Sequence, residues 1–598
     1  MSVPKRSEVP VEYTWDLSHI FPNDEAWEAE RLSLQEKIPE ITAFKGKLSD
    51  AKMLLAWFRL NDELAVRLSK LHGYASMHSD EDTANSTYQA MNGKATSLYV
   101  AIGSAASFST PEIMAISEED LDQFYRQVPE LEGYRRSLFL LRRLKDHILS
   151  PAEEKLLAAA RDMAGAPDDI CSILRDAELR FPEVSDPEGN VHPLTNGSLV
   201  PLLEHPDPAF RLKVFNTYYD RLGEYKATIA STLNAQFKSL KFFASARKYP
   251  DTREAALNSH EVPVSVYDSL ITAVHNNLEP MHRYVALRKK LLGVETLHMS
   301  DVYAPIIADA AVKVPYEEAV QTVTEALSVL GEDYIAVVKE AFANRWIDIY
   351  ENEGKRGGAY SSGTGWPHPY MLLNYKDNLD SMFTLAHEMG HSMHTWYSVK
   401  NQPVATADYV IFVAEVASTC NEVLLMKYLL GRTTDKKERA YLINHFLDSF
   451  KGTLYRQTMF AEFEWEMGRL CEAGEVLTAD VLCEKYKALN ALYYGPEMVS
   501  DDRIALEWAR IPHFFYNYYV FQYATSFAAA MAIAPKILEE GAPAVERYKK
   551  FLSGGCSQDP ISLLKIAGVD MSTPQPVEEA LKFFSSLVDE MEELTKEA

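Results

Sequence analysis

Asp-Ser-Met-Phe-Thr-Leu-Ala-His-Glu-Met-Gly-His-Ser-Met-His-Thr-Trp-Tyr-Ser-Val, residues 380–399, holds His387-Glu388-Met389-Gly390-His391, the pattern H-E-x-x-H. Positions i and i+4 of a helix share a face, so His387 and His391 aim their imidazoles at one point. Zinc takes neutral imidazole nitrogen at about 2.0–2.1 Å, and two such rings supply half of a tetrahedral site. Glu388 is rotated off that face. It is badly placed as a ligand but close enough to touch a water there, the geometry of a metallohydrolase base. Met382, Leu385, Ala386, Met389, Met393 and Trp396 recur at helical spacing and predict a core-facing stripe. That setting argues against a surface helix with two unrelated histidines. Asn378 or Asp380 is the expected N-cap. Gly390 costs roughly 1 kcal/mol in a helix interior, which implies that another element approaches closely there.

Two histidines and a water leave one protein ligand to find. Glu415 is the best candidate. It sits in 409–430, a stretch apolar on nearly all sides, and a helix apolar all round is buried. A buried carboxylate must be paired, protonated or bound to metal. Glu422, seven residues on and on the same face, is expected to accept a ring N–H and orient a ligand. The competing reading pairs each glutamate with an arginine or lysine. His394, one turn after His391, is a neighbour rather than a ligand.

The rest of the chain gives this site its setting. Of 598 residues 47% are hydrophobic, ample for a large core. The formal charge of −26 argues against nucleic acid and anionic membranes as partners. Five widely spaced cysteines without a CxxC pair fit a reducing compartment. Met1 to Glu12 has no apolar run, so no secretion signal is expected. Residues 14–175 predict helices nearly throughout, with start signals at Thr110-Pro111, Ser117 to Asp120 and Ser150-Pro151-Ala152-Glu153.

Glu178–Phe181 and Val191–Leu194 flank a turn and predict a β-hairpin, with the main domain boundary near residue 200. Residues 346–350 and 369–375 read as strands around a loop carrying Gly354, Gly357, Gly358, Gly363 and Gly365. A loop and strand edge beside a catalytic helix can bind a peptide backbone by strand addition. Residues 408 onward predict helices almost to the end, with 559–576 as a looser connector. The uncharged run Ile511 to Pro535 holds too many polar groups for a lipid-facing span and predicts a helix buried in protein.

His387 to His391, followed by Val413-Ala414-Glu415-Val416-Ala417-Ser418 and Glu422, resembles the oligoendopeptidase F branch of the thimet-oligopeptidase-like zinc peptidases. So do Thr14-Trp15-Asp16-Leu17, the turn Asp186-Pro187-Glu188-Gly189-Asn190, the loop Gly357-Gly358-Ala359-Tyr360-Ser361, and Ala567-Gly568-Val569-Asp570-Met571. The resemblance covers nearly the whole chain. Ala417 departs from it, since more distant relatives often carry proline there.

The resemblance implies a mostly α, saddle- or clam-shaped zincin-like fold with a small β-sheet region next to the active-site helix and a deep substrate channel. Residues 1–200 would be an N-terminal helical domain roofing that channel, and 201–598 the catalytic domain. It implies one Zn2+ per chain on His387, His391 and Glu415, with Glu388 as the base, and cytoplasmic cleavage of oligopeptides. It draws His513, Tyr516 and Tyr523 to the metal, and the backbone of Gly357, Gly358, Ala359 and Tyr360 to the substrate. Tyr516 and Tyr523 are seven apart and would share a helix face, while Tyr518 or Tyr519 takes the place of Tyr516 if the register shifts. Two other readings compete: an α-helical zinc carboxypeptidase, whose additional Arg-rich and Gln-Asp motifs are not found here, and a non-catalytic helical peptide-binding scaffold.

Overall fold

The structure, a computed structural model, describes residues 3–307, 313–362 and 367–596. It is 71% helical with only small sheets, the expected class. Among the described residues no helix is long and apolar enough to cross a membrane. The chain divides into two compact units. One takes Met1–Lys145, Val312–Tyr428 and Ile533–Gly568; the other takes Asp146–Ala311, Leu429–Ala532 and Val569–Ala598.

The first unit is built around the 31-residue helix Ala51–Glu81, capped by the Asp50 carboxylate on the amides of Lys52 and Met53. Its apolar face gathers Trp15, Trp27, Leu54, Trp57 and Leu71 into one core that reaches Tyr370 and Leu372 of the sheet. That sheet orders its strands Ile347–Asp348, Met371–Leu372, Tyr360–Ser361. The first pair is parallel and the second antiparallel, so Tyr360–Ser361 lies at an edge. The strands are shorter than the sequence predicts: the amides of Met371 and Leu373 bond the carbonyls of Trp346 and Asp348 in register, but the next bond, Tyr375 to Ile349, is out of step.

Thr14-Trp15-Asp16-Leu17 is laid against this sheet. The Arg345 guanidinium donates to the carbonyls of Thr14 and Trp15 at 2.9 and 3.0 Å. Buried Asp348 takes Arg6 at 2.9 Å and Lys355 at 2.7 Å. The motif therefore fastens the N-terminal segment to the strands beside the H-E-x-x-H helix.

In the second unit the expected hairpin is present but short. Val184–Ser185 pairs antiparallel with Val191–His192, and His192 Nε2 bonds Asp186 at 2.8 Å across the turn. Glu178–Phe181 is not its strand. The amide of Leu179 reaches back to the carbonyl of Leu174 and closes a wide helical turn over Ile173–Glu178, while Phe181 stacks on Tyr218 at 4.4 Å. Leu297–His298 pairs in parallel with Met498–Val499.

Two further expectations need correction. Residues 559–576 are not merely a connector: Asp559 caps a helix over Pro560–Ile566 through the amide of Ser562. The run 511–535 is not one helix either. A 3-10 turn over Pro512–Phe515 is followed by Asn517 and Tyr518 at φ 56° and 59°, and the helix Phe521–Glu540 starts only after them. Two consecutive left-handed residues end any right-handed helix.

Candidate metal centre

The helix carrying H-E-x-x-H runs Leu379–Asn401, and the Asn378 side chain caps it by accepting from the amide of Ser381. Met382, Leu385, Ala386, Met389 and Met393 are buried as the periodicity predicts, while Trp396 is half-buried. A second helix, Ile411–Arg432, brings in Glu415. Gly390 decides how closely the two can cross. A Cβ at Gly390 would stand 2.5 Å from Ser418 Cα and 2.6 Å from the Ala417 carbonyl. Only glycine admits that backbone approach. Asn421, fully buried, locks the crossing: its amide donates to the Ala386 carbonyl at 3.1 Å and accepts from Tyr334 at 3.3 Å.

At this crossing His387 Nε2 and His391 Nε2 lie 3.2 Å apart, and each is 3.4 Å from Glu415 Oε2. A tetrahedral ion bonded at about 2.0–2.1 Å sets its ligand atoms about 3.3 Å apart, so the three donors fit zinc without rearrangement. His387 Nδ1 is 2.6 Å from Glu422 Oε1. A carboxylate only accepts, so Nδ1 keeps its proton toward Glu422, and it is Nε2 that would give up a proton to offer its lone pair to a metal. All three donor residues are half-buried, so the Glu415 helix is not buried on every side as its composition predicts. The half-buried Ile411, Ala414, Glu415 and Glu422 lie along one stripe of that helix.

The charges of the site answer one another. Burial opposes the imidazolium of His387, but Glu415 and Glu422 outweigh it and hold its pKa well above the ordinary value. Burial works to raise Glu415, yet His387 and His391 pull it far below the usual carboxylate range. These carboxylates are arranged for a cation. Glu388 is 6% exposed, and its Oε2 has no hydrogen-bond partner among the described residues. Burial pushes its pKa up, against the pull of His387 and His391. His394 is buried, stacked on Tyr409 at 3.8 Å and apart from the donor set.

The edge strand Tyr360–Ser361 is tied to this helix, since Ser361 Oγ and Ser392 Oγ are 2.8 Å apart. The Tyr360 phenol is committed to Asp80 at 2.8 Å. Gly357 and Gly358 face open space, and Gly358 has φ 83°. Asn374 holds the loop by donating to the Gly358 carbonyl at 2.7 Å. Gly363 and Gly365 lie outside the described residues.

His513, Tyr516 and Tyr523 are grouped in the second unit. The His513 ring lies 5.5 Å from Tyr516, 6.1 Å from Tyr519 and 6.1 Å from Tyr523, and Tyr519 is 5.4 Å from Tyr523. Burial lowers the His513 pKa, so the ring is neutral. Tyr516 and Tyr523 do not share a helix face, because Tyr516 precedes the break and Tyr523 follows it. Tyr519 joins the group and Tyr518 does not: its hydroxyl bonds Thr252 at 2.8 Å in the core. Sequence reasoning also passed over Asn421 and gave Ser418 no role of its own. Their only signal is polarity in an otherwise apolar helix.

Residues 201–583 match the sequence profile of Peptidase family M3, and residues 112–181 match that of Oligopeptidase F. Oligopeptidase PepF of Bacillus subtilis is 46% identical over 99% of this chain and 88% of its own length. Group B oligopeptidase PepB of Streptococcus agalactiae is 40% identical over 98% of both chains. Among solved structures, a peptidase from Chlamydophila abortus superposes with a TM-score of 0.90 at 35% identity, over 99% of this chain and 100% of that one. Oligoendopeptidase-F from Enterococcus faecium gives 0.76 at 37% identity, over 96% and 100%.

Proposed function

The chain belongs to peptidase family M3, in its oligoendopeptidase F branch, and from that premise we propose that it is a zinc-dependent endopeptidase cutting internal bonds of short oligopeptides. One observation carries the reading: His387 Nε2, His391 Nε2 and Glu415 Oε2 converge at separations of 3.2 to 3.4 Å while Glu422 fixes the His387 tautomer. The oligopeptide substrate class is supported by the relatives' names. A cytoplasmic setting is supported by five widely spaced cysteines without a CxxC pair.

His387, His391 and Glu415 would hold one zinc ion. When bound, zinc there supplies a Lewis acid that polarises the scissile carbonyl and acidifies a water. Glu388, whose Oε2 has no hydrogen-bond partner among the described residues and whose pKa burial raises, takes the proton of the attacking water and returns it to the leaving amine. The Tyr360–Ser361 edge and the open backbone of Gly357, Gly358 and Ala359 pair with the peptide main chain, which aligns the substrate without reading its side chains. Tyr523, Tyr516 and His513 donate to the carbonyl oxygen as it gains charge.

A quenched peptide blocked at both ends tests this reading, assayed alongside elemental analysis before and after chelation. One zinc per chain and cleavage that chelation abolishes are expected. Cleavage only of peptides with a free carboxyl terminus would point to a carboxypeptidase, and a metal-free inactive chain to a scaffold.

The donor role of Tyr523 has its own expected outcome. A phenol that strengthens its hydrogen bond as charge develops acts on kcat rather than on binding. Tyr523→Phe should lower kcat about 10²–10³-fold, or roughly 3–4 kcal/mol, with KM little changed. The ring is kept, so the melting temperature should hold. Tyr518→Phe is the contrast: it loses the Thr252 bond, so its cost should fall on stability and not on kcat.

A further inference from the structure

The left-handed pair Asn517-Tyr518 is held from three elements. The amide of Tyr518 donates to Glu464 Oε1 at 2.6 Å. Its phenol meets Thr252 Oγ1 at 2.8 Å, and Thr252 Oγ1 donates in turn to Glu472 Oε1 at 2.8 Å, so the phenol is the donor to Thr252. Gln236 Nε2 donates to the Phe515 carbonyl and to Asn517 Oδ1, both at 3.1 Å. Glu464, Gly468 and Glu472 are spaced i, i+4, i+8 on the helix Arg456–Glu472 and so share one face. Gly468 is the floor of this socket: a Cβ there would stand 2.1 Å from the Tyr518 hydroxyl and 3.4 Å from its Cζ.

Non-glycine residues held left-handed cost of order 1 kcal/mol or more each and persist only where their surroundings over-determine them, most often at functional sites. Glu464 makes the commitment costlier still. It is 0% exposed, its Oε2 has no hydrogen-bond partner, and it forms no ion pair among the described residues. The phenols of Tyr267 and Tyr518 lie within electrostatic reach of it. Burial pushes its pKa up to about 8, so the carboxyl carries a proton at neutral pH. A protonated, half-satisfied glutamic acid contributes little to stability. What it does contribute is a fixed acceptor for one backbone amide. The turn that this amide belongs to carries His513 and Tyr516 on one side and Tyr519 and Tyr523 on the other.

We propose that Glu464 and Gly468 are positioning residues: they form the socket that fixes the Asn517-Tyr518 turn and thereby sets the His513, Tyr516 and Tyr523 groups for the peptidase reaction. This rests on the donor role given to those groups above. Neither residue touches substrate. The acceptor and the gap are both needed, since the turn is gripped by its amide and by its ring.

The test uses the full chain loaded with zinc and a quenched oligopeptide. Glu464→Ala is expected to lower kcat about 10–100-fold, the cost of an ångström-scale misplacement, with KM within twofold and zinc content unchanged. Hydrogen exchange should quicken within 511–523 and stay unchanged around 380–399. Glu464→Gln keeps a neutral acceptor and should restore both readouts. Gly468→Ala should repeat the Glu464→Ala defect through the ring, and Gly468→Ala with Tyr518→Phe should relieve it, because the colliding atom is the hydroxyl. In a Tyr523→Phe background Glu464→Ala should cost no more than about twofold further, since residues acting as one unit are not additive.

A Glu464→Ala loss that multiplies fully with Tyr523→Phe would overturn the proposal. So would unchanged exchange within 511–523, or a Gly468→Ala defect that Tyr518→Phe leaves in place. Normal kcat in Tyr523→Phe alone would remove the donor role itself and the proposal with it. An impaired Tyr523→Phe beside an unimpaired Glu464→Ala would leave the donor role standing and remove the socket alone.

Discussion

Glu388→Gln is expected to keep one zinc per chain and to lose turnover on the order of 10²–10⁴-fold, the range for a positioned general base. The amide has nearly the shape of the carboxylate, so helix and donors are undisturbed. It cannot take a proton. Glu388 is 6% exposed and its Oε2 has no partner among the described residues, while His387 and His391 turn Nε2 toward Glu415. A glutamine also ends the cost of a buried ionisable group, so the melting temperature should hold or rise. Because proton transfer belongs to the transition state, kcat and kcat/KM should fall together. A fully zinc-loaded Glu388→Gln with near-normal kcat would sink the mechanism.

Glu415→Ala should lose the metal itself. It leaves two imidazoles, and a site of two neutral donors holds zinc weakly. Glu422 cannot step in without moving, because its Oε1 is bonded to the opposite nitrogen of His387 at 2.6 Å. Glu422→Ala is therefore the informative partner variant. Removing an orienting carboxylate typically costs about 10–100-fold in metal affinity, and Glu415→Ala should cost more than that. Competition with a chelator of known affinity gives both numbers. If Glu415→Ala binds zinc better than Glu422→Ala does, the roles of the two glutamates are exchanged. The apo melting temperatures add an independent readout: Glu415→Ala removes one of the two carboxylates that stabilise the half-buried His387 imidazolium, so the destabilisation should appear without metal as well.

Both predictions concern residues that were visible before any fold was known, and the reason is physical. His387 and His391 converge because helix geometry alone places i and i+4 together. Glu388 falls beside them by the same geometry. The apolar stripe from Met382 to Met393 buries that helix by period alone, and Asn378 caps it by local chemistry. Glu415 stood out as a carboxylate that an apolar helix cannot bury unpaired. Its distance to the histidines was not legible. That depends on Gly390 admitting the backbone of Ser418 and on Asn421 bonding the Ala386 carbonyl, which are contacts between helices and leave no periodic trace.

The aromatic segment shows the limit most clearly. Composition marked 511–535 as buried, and periodicity then made it one helix with Tyr516 and Tyr523 on a face. Nothing in Asn517-Tyr518 announces a left-handed turn, since neither is glycine. Its partners lie 54, 266 and 281 residues away at Glu464, Thr252 and Gln236. The sequence by itself determined the helical class, the donor helix and its base, because those follow from repeats of a few residues. Tertiary structure alone decided that Tyr519 joins His513 while Tyr518 leaves, because a strained turn is chosen by the distant groups that bond it rather than by the residues that adopt it.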